Sequence, residues 1–186
     1  MTMHPLHLFH YCPKCGSNRF SEHNFKAYKC AECQFVYYFN PSAATVALIF
    51  NDKGELLVTR RAHDPAKGTL DLPGGFIDMH ESAEEGVIRE VEEETGLKVT
   101  DTRFLFSLPN LYLYSGFTVH TVDLFFLCTV NDCSSLEAHD DVAESFFVRP
   151  EELDAKEFGL DSVSKAMEKI LSPEYLLKTL TGQTIR

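Results

Sequence analysis

The stretch from Gly75 to Leu97, GFIDMHESAEEGVIREVEEETGL, constrains the chain more than any other. It carries eight carboxylates (Asp78, Glu81, Glu84, Glu85, Glu90, Glu92, Glu93 and Glu94) against one base, Arg89. Such an imbalance repels itself unless a cation is held within it. The local structure is well punctuated. Ser82 followed by Glu85 is a capping box that starts a helix, and Gly96 suits the left-handed residue that ends one. Between them Ala83, Val87 and Val91 recur at helical spacing and predict a core-facing stripe. At about 100° per residue, Glu90 and Glu94 fall nearly in line with Ala83 and Val87, and Glu93 lies beside them. Glu85 and Glu92 point away, toward solvent.

A wet, salt-bridged surface is the simpler fate of an acidic helix. It fits badly here, because Glu90 and Glu94 are like charges at i,i+4, which destabilises a helix, and Arg89 is the one base nearby. Hard oxygen ligands converging on one spot suit Mg²⁺ or Mn²⁺, held by a few carboxylates and by substrate phosphates. Glu90, Glu93 and Glu94 are the ligand candidates. The paired glycines of Asp71-Leu72-Pro73-Gly74-Gly75 permit close backbone approach, and a carbonyl from this pair, assigned to Gly74, is a further one.

Gly75, Glu81, Arg89, Glu90, Val91, Glu93, Glu94, Gly96 and Leu97 resemble, at every fixed position, the signature of Nudix hydrolases. His80 stands where that family commonly has glycine. Gly86 inside the helix costs roughly 1 kcal/mol against alanine, which predicts close packing there. The resemblance implies an α/β fold, an α/β/α sandwich with a mixed sheet in which this stretch forms loop–helix–loop. It implies that Arg89 orients a carboxylate, with Glu81 as its partner. It also implies that Glu144, just ahead of the strand at 145–148, is a metal ligand or general base; a surface loop acid is the plain alternative. Which of Glu90, Glu93 and Glu144 takes the proton stays open.

Ahead of this module, Cys12-Pro13-Lys14-Cys15 and Cys30-Ala31-Glu32-Cys33 form two CxxC pairs fourteen residues apart. Thiolates at that spacing close a tetrahedral four-sulfur site for Zn²⁺, structural because no position is left open. Disulfides are the alternative, disfavoured in a chain with no export signal. About forty residues build little core alone, and metal binding would supply the missing folding energy. The segment is mildly basic (Lys14, Arg19, Lys26 and Lys29 against Glu22 and Glu32). Nucleic-acid or protein contact is therefore a second reading, and a solvated surface the simpler one. Cys128 and Cys133 lack partners at motif spacing.

Asn40-Pro41-Ser42 marks the boundary, giving a zinc ribbon over 1–40 and a Nudix domain over 41–186. Strands are predicted at 44–50, 55–60, 103–108, 119–130 and 145–148, and helices at 161–171 and from Pro173 through Leu180. With 44% hydrophobic residues in 186, the chain can bury one sizeable core and a small satellite. No apolar run approaches the roughly 18 residues needed to span a bilayer. The first residues lack a basic-then-apolar leader. A cytoplasmic protein is the expectation. A net charge of −11 weighs against broad nucleic-acid binding, but not against a nucleotide whose phosphates meet bound metal.

A ribbon ahead of such a domain resembles the NADH pyrophosphatase group. That group's Ser-Gln-Pro-Trp-Pro-Phe-Pro has its counterpart at Ser107-Leu108-Pro109-Asn110-Leu111-Tyr112-Leu113, which lacks the glutamine and tryptophan and puts Tyr112 in the phenylalanine's place. The resemblance implies hydrolysis of the pyrophosphate in an NADH-like dinucleotide or ADP-ribose, by a homodimer. Arg60 and Tyr112 are the substrate-binding candidates, with Arg61 and Lys67 close by; a solvated strand end and rim packing are the plainer readings. The rival is a non-catalytic, nucleotide-sensing module whose ribbon contacts nucleic acid or protein. Such modules usually show eroded glutamates, and all are present here.

Overall fold

A computed structural model of the chain describes residues 4–139 and 142–180; residues 1–3 and 181–186, at the outer ends of the two expected modules, and Asp140 and Asp141 lie outside the described residues. The chain divides between Pro41 and Ser42 into two compact units.

In the first unit, β1 (Phe20–Asn24), β2 (Ala27–Cys30) and β3 (Val36–Tyr38) form an antiparallel sheet in that order. Its core is small, built on Cys12, Phe20 and Cys30. Each CxxC pair is a tight turn: Gly16 N–H donates to Cys12 O at 2.8 Å, and Gln34 N–H to Cys30 O at 3.1 Å. The residue closing each turn is left-handed, Gly16 at φ 74° and Gln34 at φ 61°.

The second unit runs β4 (Ser42–Ile49), β5 (Leu56–Arg61), β6 (Leu70–Asp71), α1 (Ala83–Thr95), β7 (Val99–Tyr114), β8 (Phe117–Val130), β9 (Val142–Val148), α2 (Asp161–Ile170) and α3 (Pro173–Leu180). Two three-stranded sheets result, ordered β4-β8-β7 and β6-β5-β9. β4 pairs parallel with β8, whereas β7 pairs antiparallel with β8 and β9 antiparallel with β5, so the architecture is the expected mixed one. β4 is apolar on both faces because both are covered. Ala47 and Ile49 pack with Val87 and Val91 of α1, whereas Val46 and Leu48 pack with Val163, Ala166 and Met167 of α2. This two-sided burial produces the uninterrupted apolar run that an alternating sheet would not show. No helix among the described residues is long and apolar enough to cross a membrane.

α1 begins and ends where its capping residues dictate. Ser82 and Glu85 cap one another reciprocally, and Gly96 closes the helix at φ 68°. The outer strands depart from expectation. The segments at 103–108 and 119–130 are parts of one long hairpin, β7–β8, closed by Ser115 and Gly116 at φ 50° and 73°. Those angles suit the two-residue turn whose twist matches its strands. Pro109 lies inside β7, tolerated because β7 is a sheet edge and needs no donor on its free side. β9 begins at Val142, so Glu144 is a strand residue and not a loop residue.

Candidate active site

The C-terminal half of α1 delivers its acids to a cleft of about 360 Å³. Arg89 organises them. Its Nε and Nη2 donate to the two oxygens of Glu81 at 2.9 and 3.1 Å, and Nη1 donates to Glu90 at 2.9 Å and Glu93 at 2.8 Å. Nη2 also donates to Phe76 O at 3.0 Å. One guanidinium thus offsets the repulsion among three carboxylates and is spent on the protein itself. The hydrogen bond from Arg89, with one from the Asp78 N–H, holds Glu81 below the usual carboxylate range. Glu90 moves the other way, because burial raises it against the opposing pull of Arg89.

The glycines are explained by what presses on them. At Gly75 a Cβ would lie 2.6 Å from the Glu90 carboxylate. Gly74, at φ 150°, would set a Cβ 2.1 Å from Thr45 O. Its N–H donates to Glu94 Oε2 at 3.0 Å, which fixes that nearly buried carboxylate on the cleft wall. The packing expected at Gly86 is present, since a Cβ there would come within 3.2 Å of Glu81 Oε2.

His80 occupies left-handed space at φ 73°, where an L-residue costs about 1–2 kcal/mol. His80→Gly is therefore expected to stabilise the protein by about 1 kcal/mol, a rise of roughly 2–4 °C in thermal midpoint for a chain of this size. An unchanged or lower midpoint on thermal denaturation would show that the loop does not carry this strain.

Facing the acids, Arg61 is locked in place. Its Nη1 donates to Asp71 at 2.6 Å, its Nε to Pro65 O at 2.7 Å, and its Nη2 to the Tyr112 hydroxyl at 3.2 Å. Burial raises Asp71, with Arg61 opposing. Burial alone would lower Arg61, but the charge and hydrogen bond of Asp71 together with those of Tyr112 outweigh it, and the guanidinium is held more firmly protonated. Phe76 meets Tyr112 edge-on, with ring centroids 5.7 Å apart. On the floor, Asp123 accepts from Asn110 Nδ2 at 3.0 Å, from Thr121 Oγ1 at 2.6 Å and from Ser162 Oγ of α2.

Glu90, Glu93, Glu94, Arg89, Gly74 and Tyr112 all line this cleft. Arg60 and Glu144 are not among its lining residues. They pair with one another at 3.0 Å across β5 and β9, and Arg60 also donates to Gly68 O. Among the described residues no three carboxylates bring ligand atoms within 4.8 Å of one another. Glu90 and Glu93 each give one oxygen to Arg89, and among the described residues the other has no hydrogen-bond partner. An all-oxygen donor set of this kind fits a hard divalent cation bridged by substrate. Phe76, Asp71, Asn110 and Asp123 were not singled out from the sequence. Asp123 had left a signal, a lone acid in the apolar run Val122–Leu127.

In the first unit the four cysteine sulfurs lie within 4.8 Å of one another and could hold a metal ion. Cys12 Sγ is 3.7 Å from Cys33 Sγ, and Cys15 Sγ is 3.6 Å from Cys30 Sγ. A tetrahedron with zinc–sulfur bonds of about 2.3 Å has edges of about 3.8 Å, close to these two separations. The N–H groups of Cys33 and Glu32 lower Cys30 to about 6, favouring the thiolate.

A family model described as "NUDIX domain" matches residues 40–168. The chain is 31% identical over 106 residues to a NAD-capped RNA hydrolase from Vibrio vulnificus, covering 57% of this chain and 40% of that protein. It is 35% identical over 112 residues to an ADP-ribose pyrophosphatase from Methanocaldococcus jannaschii, covering 59% of this chain and 63% of that one. The chain therefore spans between about two fifths and just under two thirds of the length of these curated relatives. In fold it matches a NUDIX hydrolase from Nitrosomonas europaea with a TM-score of 0.68 at 19% identity, covering 93% of each chain.

Proposed function

The chain belongs to the NUDIX family, and from that premise we propose that it hydrolyses the pyrophosphate of a nucleoside diphosphate linked to a second moiety, an NADH-like dinucleotide or ADP-ribose. The observation that carries this reading is the cleft itself: the carboxylates of Glu90, Glu93 and Glu94 line it together with the fixed guanidinium of Arg61 and the ring of Tyr112. A diphosphate ester needs that combination of metal-binding acids, a cation and an apolar contact.

Glu90, Glu93, Glu94 and the backbone of Gly74 would hold Mg²⁺ or Mn²⁺, and Cys12, Cys15, Cys30 and Cys33 would hold Zn²⁺. The divalent ion, when bound, neutralises phosphate oxygens and lowers the pKa of a coordinated water. The chain's own groups do the rest. Arg89 fixes Glu90 and Glu93 relative to Glu81 and keeps them from splaying apart. Arg61 presents its remaining N–H donors to phosphate, its plane set by Asp71. Phe76 and Tyr112 offer faces on which a base can stack. Glu90 or Glu93, each with one unbonded oxygen, accepts the proton of the attacking water. Glu144 can join them once its carboxylate leaves Arg60.

Product chromatography after incubation with Mg²⁺ and, separately, NADH and ADP-ribose tests the reading. AMP from either is the expected result. No product from these or from a wider nucleotide panel, with ligand-induced stabilisation retained, would replace it with the nucleotide-sensing reading.

A further inference from the structure

Thr45 is 1% exposed and lines the cleft, and its hydroxyl, closed to solvent, has no hydrogen-bond partner. Native structures seldom leave a buried polar group unpaired, because the omission is costly. The register of its strand says what stands beside it. Residues 73–77 run antiparallel along the edge of β4 away from β8. Ala47 N–H donates to Pro73 O at 2.7 Å, Thr45 N–H to Gly75 O at 2.8 Å and Ile77 N–H to Ala43 O at 3.1 Å, and Ala44 bridges Phe76. Thr45 therefore stands directly opposite Gly75. Side chains at opposed positions leave the same face, with Cβ atoms about 5 Å apart. Gly75 has no side chain to fill its half of that pair, and the Glu90 carboxylate fills it instead: Cδ, Oε1 and Oε2 lie 2.6, 2.6 and 2.7 Å from where a Cβ would be. On the other side of Thr45 the paired β8 residue is Leu124, whose side chain has no acceptor.

Thr45 and Glu90 thus share one patch of the cleft wall. A donor without an acceptor sits beside a carboxylate of which one oxygen, Oε1, is held by Arg89. Water does not reach the hydroxyl, so a protein group that turns is what can satisfy it. The last torsion of a glutamate is broad and turns at little cost. A divalent cation beside Glu90 favours such a turn, since it competes with the Arg89 guanidinium for the same oxygens. We propose that Thr45 is a positioning residue whose hydroxyl donates to Glu90 once the cation is bound, orienting the carboxylate on the ion as outer-shell hydrogen bonds do. This rests on the metal-dependent hydrolase reading above and adds to it a residue outside the acidic helix.

The test uses zinc-loaded protein with Mn²⁺ alone as the probe. Affinity is read by calorimetry, thermal midpoints are recorded with and without the ion, and hydrolysis of ADP-ribose is followed separately. Thr45→Val keeps the shape of the side chain and should weaken Mn²⁺ binding about tenfold or more. The rise in midpoint that Mn²⁺ produces should shrink accordingly. The midpoint without the ion should stay unchanged or rise, because an unsatisfied hydroxyl is removed. In turnover, the Mg²⁺ concentration for half-maximal rate should rise about tenfold, while KM for ADP-ribose at saturating Mg²⁺ stays within about twofold. Thr45→Ser restores the hydroxyl and should bring Mn²⁺ affinity back to within about threefold of wild type.

Mn²⁺ binding in Thr45→Val as tight as in the wild type, or no tighter in Thr45→Ser than in Thr45→Val, would overturn the inference. A wild type that binds no Mn²⁺ would do the same. Binding weakened in Thr45→Val and rescued in Thr45→Ser, in a protein that hydrolyses no nucleotide, would leave the inference standing and remove the hydrolase reading instead.

Discussion

Cys30→Ser is expected to abolish metal binding in the first unit and to unfold it. The sheet of that unit has strands of five, four and three residues around a core of Cys12, Phe20 and Cys30. Too little apolar surface is buried there to offset the ordering of some forty residues. Structural zinc in comparably small modules contributes roughly 10–16 kcal/mol of apparent folding energy, and a missing thiolate removes most of it. Cys30 is fully buried and completes both the metal cluster and the core, so the variant loses two contributions at once. Zinc content should fall from one equivalent to near zero. Proteolysis should become rapid N-terminal to Ser42. Cys133→Ser, which alters a cysteine outside the cluster, should change neither. Full zinc content with unaltered protease resistance in Cys30→Ser would refute the zinc ribbon.

The elements read correctly from sequence are those whose signals are local. α1 was legible because its start, its stop and its buried stripe all lie within fourteen residues or so of one another, and each obeys short-range chemistry. β4 and β5 were legible as apolar runs flanking Asn51–Gly54. The outer half of the β7–β8 hairpin was not. Pro109 and Asn110 oppose strand formation locally, and only the pairing of Pro109 with Val122 and of Asn110 with Thr121 overrides them. A sheet edge supplies the circumstance in which such a residue is tolerated, and edge position is a tertiary fact.

The candidate site divides along the same line. Arg89 with Glu81, and the acids of α1, come from one continuous stretch, and the partnership expected between Arg89 and Glu81 is present as a two-pronged hydrogen bond. The opposite wall is assembled from β4 to β8 and α2, so its logic lies in contacts between residues far apart in the chain. Arg61 and Arg60 are adjacent, yet alternation along β5 sends one to Asp71 and Tyr112 and the other to Glu144. Sequence alone had no means of ranking them. Asp123 reads as a fault in an apolar strand until Asn110, Thr121 and Ser162 are seen around it.

Glu94→Gln is expected to fold at close to wild-type stability and to lose most turnover. Glu94 is 9% exposed, and its Oε2 accepts the Gly74 N–H at 3.0 Å. A glutamine of the same shape keeps an acceptor for that bond, and it removes the repulsion with Glu90 one turn away, so stability should change by no more than about 1 kcal/mol. The charge is another matter. A carboxamide is a poor ligand for a hard divalent cation beside two carboxylates, and a fall of roughly 100-fold or more in kcat/KM is expected, about 2.7 kcal/mol of transition-state stabilisation. Raising the Mg²⁺ or Mn²⁺ concentration should restore part of it if weakened binding of the ion is the cause. Glu92→Gln, on the exposed face of the same helix, removes an equal charge and should leave turnover unchanged. Equal losses in the two variants would mean that overall helix charge matters and not the position of a ligand; near-wild-type turnover in Glu94→Gln would remove Glu94 from the site altogether.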